Sequence, residues 1–396
     1  MPGIEIPAGT RNLVLNMGPQ HPSTHGVLRV VLELDGETIV RATSDIGYLH
    51  TGIEKSCEAL TFHQTITLTD RIDYLCPLTN NLCYVLAVEK LLGLKPPPRA
   101  QRIRVILNEL SRIASHLVWL GTHAIDIGAM SVLLYCFRER EEILKIFEMC
   151  SGQRMMTSYF RVGGLALEPP GDFLARVRKF LGIFPERLEE YETLLTRNRI
   201  WIGRTKGVGY LSADDALDLG VSGPSARASG IDCDLRRDNP YSGYEQFQFA
   251  VPVRTEGDVY ARYLVRIAEM HESVKIVQQA IEGIPEGPVM ATMPGVILPA
   301  REKMKTEMEA LIYHFKIVTE GYRVPPGEVY QAIESPRGEM GYYVVSDGTA
   351  HPYRVKVRSP SFANLQALPR IAEGRLLSDM IACIGSIDIV LGEIDR

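Results

Sequence analysis

The chain has 396 residues, 45% of them hydrophobic, with 48 acidic and 43 basic side chains for a formal charge of −5. That length can bury a large core or two and permits two or three domains. There is no basic excess to draw nucleic acid, and no apolar run reaches the roughly eighteen residues that span a bilayer. The opening MPGIEIPAGT lacks the basic-then-apolar pattern of a secretory signal, so the features predict a cytoplasmic protein. The seven cysteines stand at 57, 76, 83, 136, 150, 233 and 383, an odd count without a CxxC. That excludes a disulfide framework and a zinc or cluster site, and each cysteine is expected to be a small buried apolar residue.

Residues 13–17 and 26–45 read as strands: Leu28, Val30, Leu32 and Leu34 alternate with polar neighbours, and Asp35-Gly36 marks a hairpin turn before Ile39. Between them Gly18-Pro-Gln-His-Pro-Ser-Thr-His-Gly26 is too rich in proline and glycine for regular structure. Two of the nine histidines, His21 and His25, therefore sit on one stiff loop, which points to function. One helix is predicted from Asp70 to Leu92, stopped by Gly93. A long central helix follows from Arg99 to Gly128. Ile103, Ile106, Leu107, Leu110, Ile113, Leu117, Leu120 and Ala124 make its apolar stripe. A second stripe of Asn108, Glu109, Arg112, His116, Trp119 and His123 follows the same steps. It fits either a helix inside a bundle or a solvated face with ion pairs.

Ser131–Ser151 reads as the next helix, with Arg138–Glu142 as a solvated charged run. Residues 172–198 read as two helices broken at Pro185, and 199–256 as loops with short strands. Gly207-Val208-Gly209 begins like a dinucleotide fingerprint, but Ser212 replaces the third glycine and no βαβ unit surrounds it, so a Rossmann reading is rejected. Asp258–Ile281 is a long helix behind a capping-box-like Thr255-x-x-Asp258, and Arg301–Thr319 is a further helix. Beyond Pro325, Tyr342–Val345 and Tyr353–Val357 return to strand around Asp347-Gly348. The expected fold is α+β, a central helical bundle flanked by β structure from both termini. Its expected divisions are a β-rich 1–69 with the histidine loop, a helical core 70–200, a loop-rich insertion 201–256, long helices 257–322, and a β-hairpin with a terminal helix 323–396.

The loop 18–26, Gly47-Tyr-Leu-His-Thr-Gly52, Glu109-Leu-Ser-Arg-Ile-Ala-Ser-His116, Asp126-Ile-Gly-Ala129, Tyr241-Ser-Gly-Tyr244, Glu334-Ser-Pro-Arg-Gly-Glu339 and the final Asp395-Arg396 together resemble the family of NADH-quinone oxidoreductase D subunits. This is the family of the quinone-site subunit of respiratory complex I, and the resemblance spans essentially the whole chain. It implies a hydrogenase large-subunit-like fold, because that family is related to the large subunits of nickel–iron hydrogenases. Their N-terminal Arg-x-Cys-x-x-Cys-Pro corresponds here to Arg71-Ile-Asp-Tyr-Leu-Cys-Pro77, with Asp73 in place of the first cysteine. Their C-terminal Asp-Pro-Cys-x-x-Cys corresponds to Asp388-Ile-Val-Leu-Gly-Glu393, without either cysteine. One thiol cannot assemble a soft four-thiolate site, so a membrane-bound hydrogenase is rejected.

The resemblance implies that the vacated cavity takes the quinone head group between His25 and Tyr74, two donors that can also yield protons. Asp126 would orient His25, and Thr122, one turn earlier, would line the pocket. Arg71, Arg154 and Met156 match positions near a [4Fe-4S] cluster held by the B subunit of the complex. Many relatives carry histidine where Met156 stands. The resemblance further implies no cofactor bound by this chain, quinone as substrate, and partner subunits B, C, H and I. It implies peripheral attachment through the membrane arm on the cytoplasmic side, proton translocation by the whole complex, and no activity for the isolated chain. The rival is a scaffold that docks cluster-bearing subunits without chemistry. The upstream donor, NADH, ferredoxin or another carrier, is left open.

Overall fold

A computed structural model describes residues 12–24 and 26–396, so His25 lies outside the described residues. Strands β1 (Leu13–Met17), β2 (Arg29–Asp35) and β3 (Thr38–Asp45) form an antiparallel sheet in that order. Val30, Leu32 and Leu34 of β2 are buried and the residues between them half-buried, as the alternation predicts. Two main-chain bonds of 2.8 Å, Ile39 N to Arg375 O and Gly374 N to Ile39 O, fix this sheet to the far end of the chain.

Helices α1 (Ile53–Ala59), α2 (Phe62–Ile72) and α3 (Pro77–Leu92) follow. The helix expected from Asp70 to Leu92 is thus two helices with a break. Pro77 disfavours helical backbone at Cys76, which sits at φ −133°, ψ 56°. Asp73 Oδ1 accepts the N–H groups of Leu75 (3.1 Å) and Cys76 (3.2 Å), which holds the turn. The central helix is α4 (Pro98–Ile127), close to its expected bounds, and it packs against α5 (Met130–Ser151). Within the charged run of α5, Glu139 and Arg140 are buried rather than solvated. The phenol of Tyr191 bonds to Glu139, so that carboxylate faces a neighbouring helix instead of water.

After the two-residue strands β4 (Phe160–Arg161) and β5 (Gly164–Leu165), α6 (Phe173–Leu195) runs unbroken through Pro185, against expectation. Interior proline costs about 3 kcal/mol. Burial of Phe180, Leu181, Phe184 and Leu188 on both sides of it outweighs that cost. The stretch 199–256 forms short helices rather than strands: α7 (Arg199–Thr205), α8 (Ala213–Asp218), α9 (Pro224–Arg227) and α10 (Leu235–Asp238). The side chains of Asn198, Ser212 and Asp234 cap three of them, so residues read as loop formers act as helix starts. Asp258, not Thr255, caps α11 (Val259–Glu282), accepting Ala261 N at 2.7 Å. The helix expected over 301–319 is interrupted at Glu307 into α12 (Arg301–Thr306) and α13 (Met308–Thr319). Six cysteines are buried as expected, but Cys233 is exposed in the turn before α10.

The C-terminal sheet is antiparallel, β6 (Gly327–Ser335), β7 (Gly338–Ser346) and β8 (Arg354–Arg358). Its β6 was not singled out from sequence because its last four residues are all buried, which erases the alternation. The chain ends in α14 (Pro360–Leu365), α15 (Leu368–Ala372), α16 (Leu377–Ile387) and α17 (Leu391–Asp395). The architecture is α+β. One core joins α3, α4, α5, α6 and α11 to the C-terminal sheet. A second joins the N-terminal sheet to α15, α16 and α17.

The connection from β6 to β7 positions the site. Ser335 pairs with Gly338, leaving Pro336-Arg337 as a two-residue tip. Gly338 has φ +135°, and a Cβ there would stand 2.4 Å from Ser222 Oγ and 2.9 Å from Gly223 N. Gly338→Ala is therefore expected to cost about 2–4 kcal/mol, combining backbone strain and overpacking. Gly36→Ala, at φ +59° with open space around it, should cost only about 1–2 kcal/mol. Denaturant unfolding of the purified chains measures both, and equal losses would show that the hairpin tip is not closely packed.

Candidate functional site

The break between α2 and α3 lies against the β6–β7 tip and the residues joining α16 to α17. Arg337 reaches in from the tip, fully buried, and places Nη1 2.5 Å from Asp73 Oδ2. Its Nε donates to Asp388 O at 3.0 Å, and Nη2 lies 3.5 Å from Asp388 Oδ1. Burial opposes the guanidinium charge, yet Asp388 and Asp73 hold it firmly protonated. Glu393, also buried, accepts Ser361 N at 2.9 Å. Burial, then the charge of Asp73, pushes its carboxyl up to about 7 despite Arg337. Tyr74 is half-buried at the edge of this cluster, with Gly392 laid against its ring, so that a Cβ on Gly392 would be 3.3 Å from Cε1. Burial first, then Asp73, raises the phenol, which stays protonated at neutral pH.

Cys76, the one cysteine in these motifs, has Sγ 2.8 Å from Thr79 Oγ1 and 3.2 Å from Ser111 Oγ. Burial pushes its thiol up to about 12, so it is no thiolate. A nickel–iron centre does not fit this donor set: one protonated thiol, and carboxylates that already face a guanidinium. Among the described residues, no group of three or more histidine, cysteine, aspartate or glutamate side chains is placed to hold a metal ion.

The polar stripe of α4 leads away from this cluster and is buried throughout. Thr79 Oγ1 donates to Asn108 Oδ1 (2.7 Å), Asn108 Nδ2 to Tyr244 OH (2.9 Å), and Tyr244 OH to Glu109 Oε1 (2.6 Å). Arg112 and Arg236 each approach Glu109 at 3.2 Å, and Ser273 Oγ donates to it at 2.7 Å. Burial would raise Glu109, but Arg112 and Arg236 hold it below the usual range. Asp234 pairs with Arg236 at 2.7 Å. Against burial, Arg236 and Arg227 bring its carboxyl down to about 2. Arg227 bridges Glu269 (2.6 Å) and Glu334 (2.8 Å). His116 Nε2 lies 2.9 Å from Glu269 Oε2. Burial keeps that imidazole neutral, so the contact is an N–H donated to a carboxylate that Arg227 already compensates.

The family model for the respiratory-chain NADH dehydrogenase 49 Kd subunit matches residues 126–396. Over 386 residues the chain is 70% identical to the second NADH-quinone oxidoreductase D subunit of Koribacter versatilis, covering 98% of this chain and 96% of the relative. It is 67% identical to the first D subunit of Solibacter usitatus (98% and 95% covered) and 58% identical to the D subunit of Geotalea uraniireducens (98% and 100% covered). The chain belongs to this family. It is a subunit of an oxidoreductase, complex I, and so has partner subunits. Among the described residues no helix is long and apolar enough to cross a membrane.

The residues singled out from sequence fall in three places on this complex I subunit. Tyr74 lies at the α2–α3 break. Thr122 and Asp126 stand one turn apart at the end of α4, and the Thr122 hydroxyl turns back on its own helix, toward Val118 O (3.0 Å) and Trp119 O (3.1 Å). Arg71 is exposed in the last turn of α2, and Arg154 is exposed and ion-paired with Glu141. Met156 sits at φ +55° in the segment after α5. Asp70 brings these last three residues' segments together, because its Oδ2 accepts Ser158 N (2.7 Å) and Oγ (2.6 Å). Burial raises that carboxyl to about 6. Sequence reasoning missed Arg337 and Glu393 as partners of Asp73. The available signals were Pro336-Arg337-Gly338 as a tight turn and the acidic residues Asp73 and Glu393 within two short motifs.

The buried network sets an acid limit on stability. Asp234 has a folded pKa below its unfolded one, so its contribution is present above about pH 4 and is lost as pH falls toward 2. Asp234→Asn should lower stability at pH 7 by about 3–5 kcal/mol, as for breaking a buried pair. The gap to the parent chain should narrow at pH 3, and unfolding at both pH values measures it. An equal gap would mean that Asp234 is not an ionised partner.

Proposed function

We propose that this chain, together with the cluster-bearing B subunit, forms the chamber in which complex I reduces quinone. A quinone takes up two electrons and two protons, so its carbonyl oxygens need donors that release protons. Tyr74 carries the reading: its phenol is held protonated at the edge of a buried cluster of carboxylates and a guanidinium. His25 donates to the opposite carbonyl, Asp126 orients that imidazole and Thr122 lines the pocket. Arg71 and Arg154 approach the [4Fe-4S] cluster of the B subunit, where a positive charge favours the reduced state. Subunits C, H and I complete the surroundings, and a membrane-embedded subunit admits the lipid-soluble substrate on the cytoplasmic side.

Tyr74→Phe, His25→Ala and Asp126→Ala in the assembled complex should each lower quinone reduction roughly ten-fold or more, the scale of losing one positioned proton donor. Reduction of a soluble acceptor by the upstream clusters should persist. Full quinone reductase activity in all three variants would leave only a docking scaffold.

Met156 generates a second expectation. A thioether takes up no proton near neutrality, so the neighbouring cluster should have a potential nearly flat between about pH 6 and 8, the window in which histidine titrates. Met156→His should introduce a slope. Redox titration followed by electron paramagnetic resonance at several pH values measures it. A parent slope near the one-proton, one-electron limit of about 60 mV per pH unit would assign the coupling to another residue.

A further inference from the structure

We propose that Glu393 stores the proton that returns Tyr74 to its phenol form after each quinone reduction, a role that rests on reading Tyr74 as a quinone donor. The inference starts from the charges that face one another. Asp73 comes from the α2–α3 break, Asp388 precedes α17 and Glu393 lies on it. Arg337 enters among these three from the β6–β7 tip, and Arg266 of α11 adds its field at Asp388 while lying 4.3 Å over the Trp119 ring. The other groups turned toward the cluster, Tyr74, Cys76 and Ser361, are neutral. His50 and Asp395 lie at the far end of α17, where the His50 ring meets Asp395 O at 2.6 Å. Three buried carboxylates against two guanidiniums leave one negative charge too many for a dry site, and one bound proton removes it.

The ion pairs with Arg337, taken with the hydrogen bonds, locate that proton. Both oxygens of Asp73 are engaged, Oδ1 by the N–H groups of Leu75 and Cys76 and Oδ2 by Arg337. Asp388 also has one buried oxygen without a hydrogen-bond partner, Oδ2, but its Oδ1 and its carbonyl face Arg337. Among the described residues Glu393 makes no salt bridge to a guanidinium, and its Oε2 is buried without a hydrogen-bond partner. An ionised oxygen left so would cost several kcal/mol, whereas a protonated one is an O–H ready to donate. The upward push on Glu393 to about 7 agrees with this placement.

Gly392, the neighbour of Glu393 in the chain, lies against the Tyr74 ring and so brings the two groups to the same side of the cluster. When quinone takes two electrons from the one-electron cluster of the neighbouring subunit, the Tyr74 O–H bond breaks, a quinol O–H forms and a phenolate remains. The ionised Asp73 repels that phenolate. The Glu393 O–H bond breaks, the Tyr74 O–H reforms, and Glu393 is left ionised until a solvent proton refills it. The transfer runs downhill, because an ordinary tyrosine titrates near 10 and burial raises this one further. The quinol's second proton comes from the other donor.

The test uses the assembled complex. Infrared difference spectra between pH 6 and pH 8 should show a carboxylic acid C=O band lost with a midpoint near 7, absent in Glu393→Gln and still present in Tyr74→Phe. The kcat for quinone reduction should fall as pH rises through this window. In Glu393→Gln it should be roughly ten-fold lower at pH 6 and without the inflection, with KM for quinone unchanged. Glu393→Asp should restore an inflection, and it serves if the glutamine variant fails to assemble, which reduction of a soluble acceptor reports. No band difference between the parent and Glu393→Gln, or an unchanged kcat and pH profile in Glu393→Gln while Tyr74→Phe is slow, would overturn the role of Glu393 alone. Full activity in Tyr74→Phe would overturn the donor reading and the proton return with it.

Discussion

A buried guanidinium must find its counter-charge within the protein, and Arg337 finds it in two segments remote in sequence. Its contacts lie 264 residues away at Asp73 and 51 away at Asp388. The requirement fixes three things at once: the depth of the β6–β7 tip, the turn between α2 and α3, and the end of α16. Removing the charge from any partner would leave the others uncompensated at low dielectric. The tip can enter because Gly338 passes against the backbone at Ser222 and Gly223 without a side chain. Packing and charge therefore specify the same arrangement.

The second polar system, along α4, obeys the same rule on a larger scale. Glu109, Asp234, Glu269 and Glu334 are interleaved with Arg112, Arg227 and Arg236, and each of these carboxylates has a guanidinium within 4 Å. Asn108 and Tyr244 connect it to Cys76 through Thr79. Such networks add little to stability over an apolar core, but they penalise misplacement of any member. That suits a protein whose proposed chemistry depends on where protons are held.

The donor set around Tyr74 has a plain physical meaning. Soft thiolates at the positions of Asp73 and Glu393 would call for a soft metal, whereas the carboxylates found there call for protons and a guanidinium. Cys76 is a buried thiol among hydroxyls and acts as a packing residue. The family membership rests on similarity along the whole chain. The local chemistry accounts for the buried polar cluster found at that place.

Residues near one another in the chain settled a good part of this protein. The apolar steps of α4 and the Asp35-Gly36 turn were legible because they depend on local periodicity and backbone preference. The division of α2 from α3 was legible in principle from Pro77, although the apolar spacing across it suggested one helix. Pro185 misled in the opposite sense, since burial of Phe180, Phe184 and Leu188 overrode a local penalty. Periodicity also showed that Asn108, Glu109, Arg112 and His116 share a face, but not whether water or protein lies opposite. Only the tertiary structure decided that, by bringing Arg236, Tyr244 and Glu269 onto that face, and by carrying Arg337 to Asp73. Compensation of buried charge is a nonlocal condition, met by residues whose separation along the chain carries no signal of their contact.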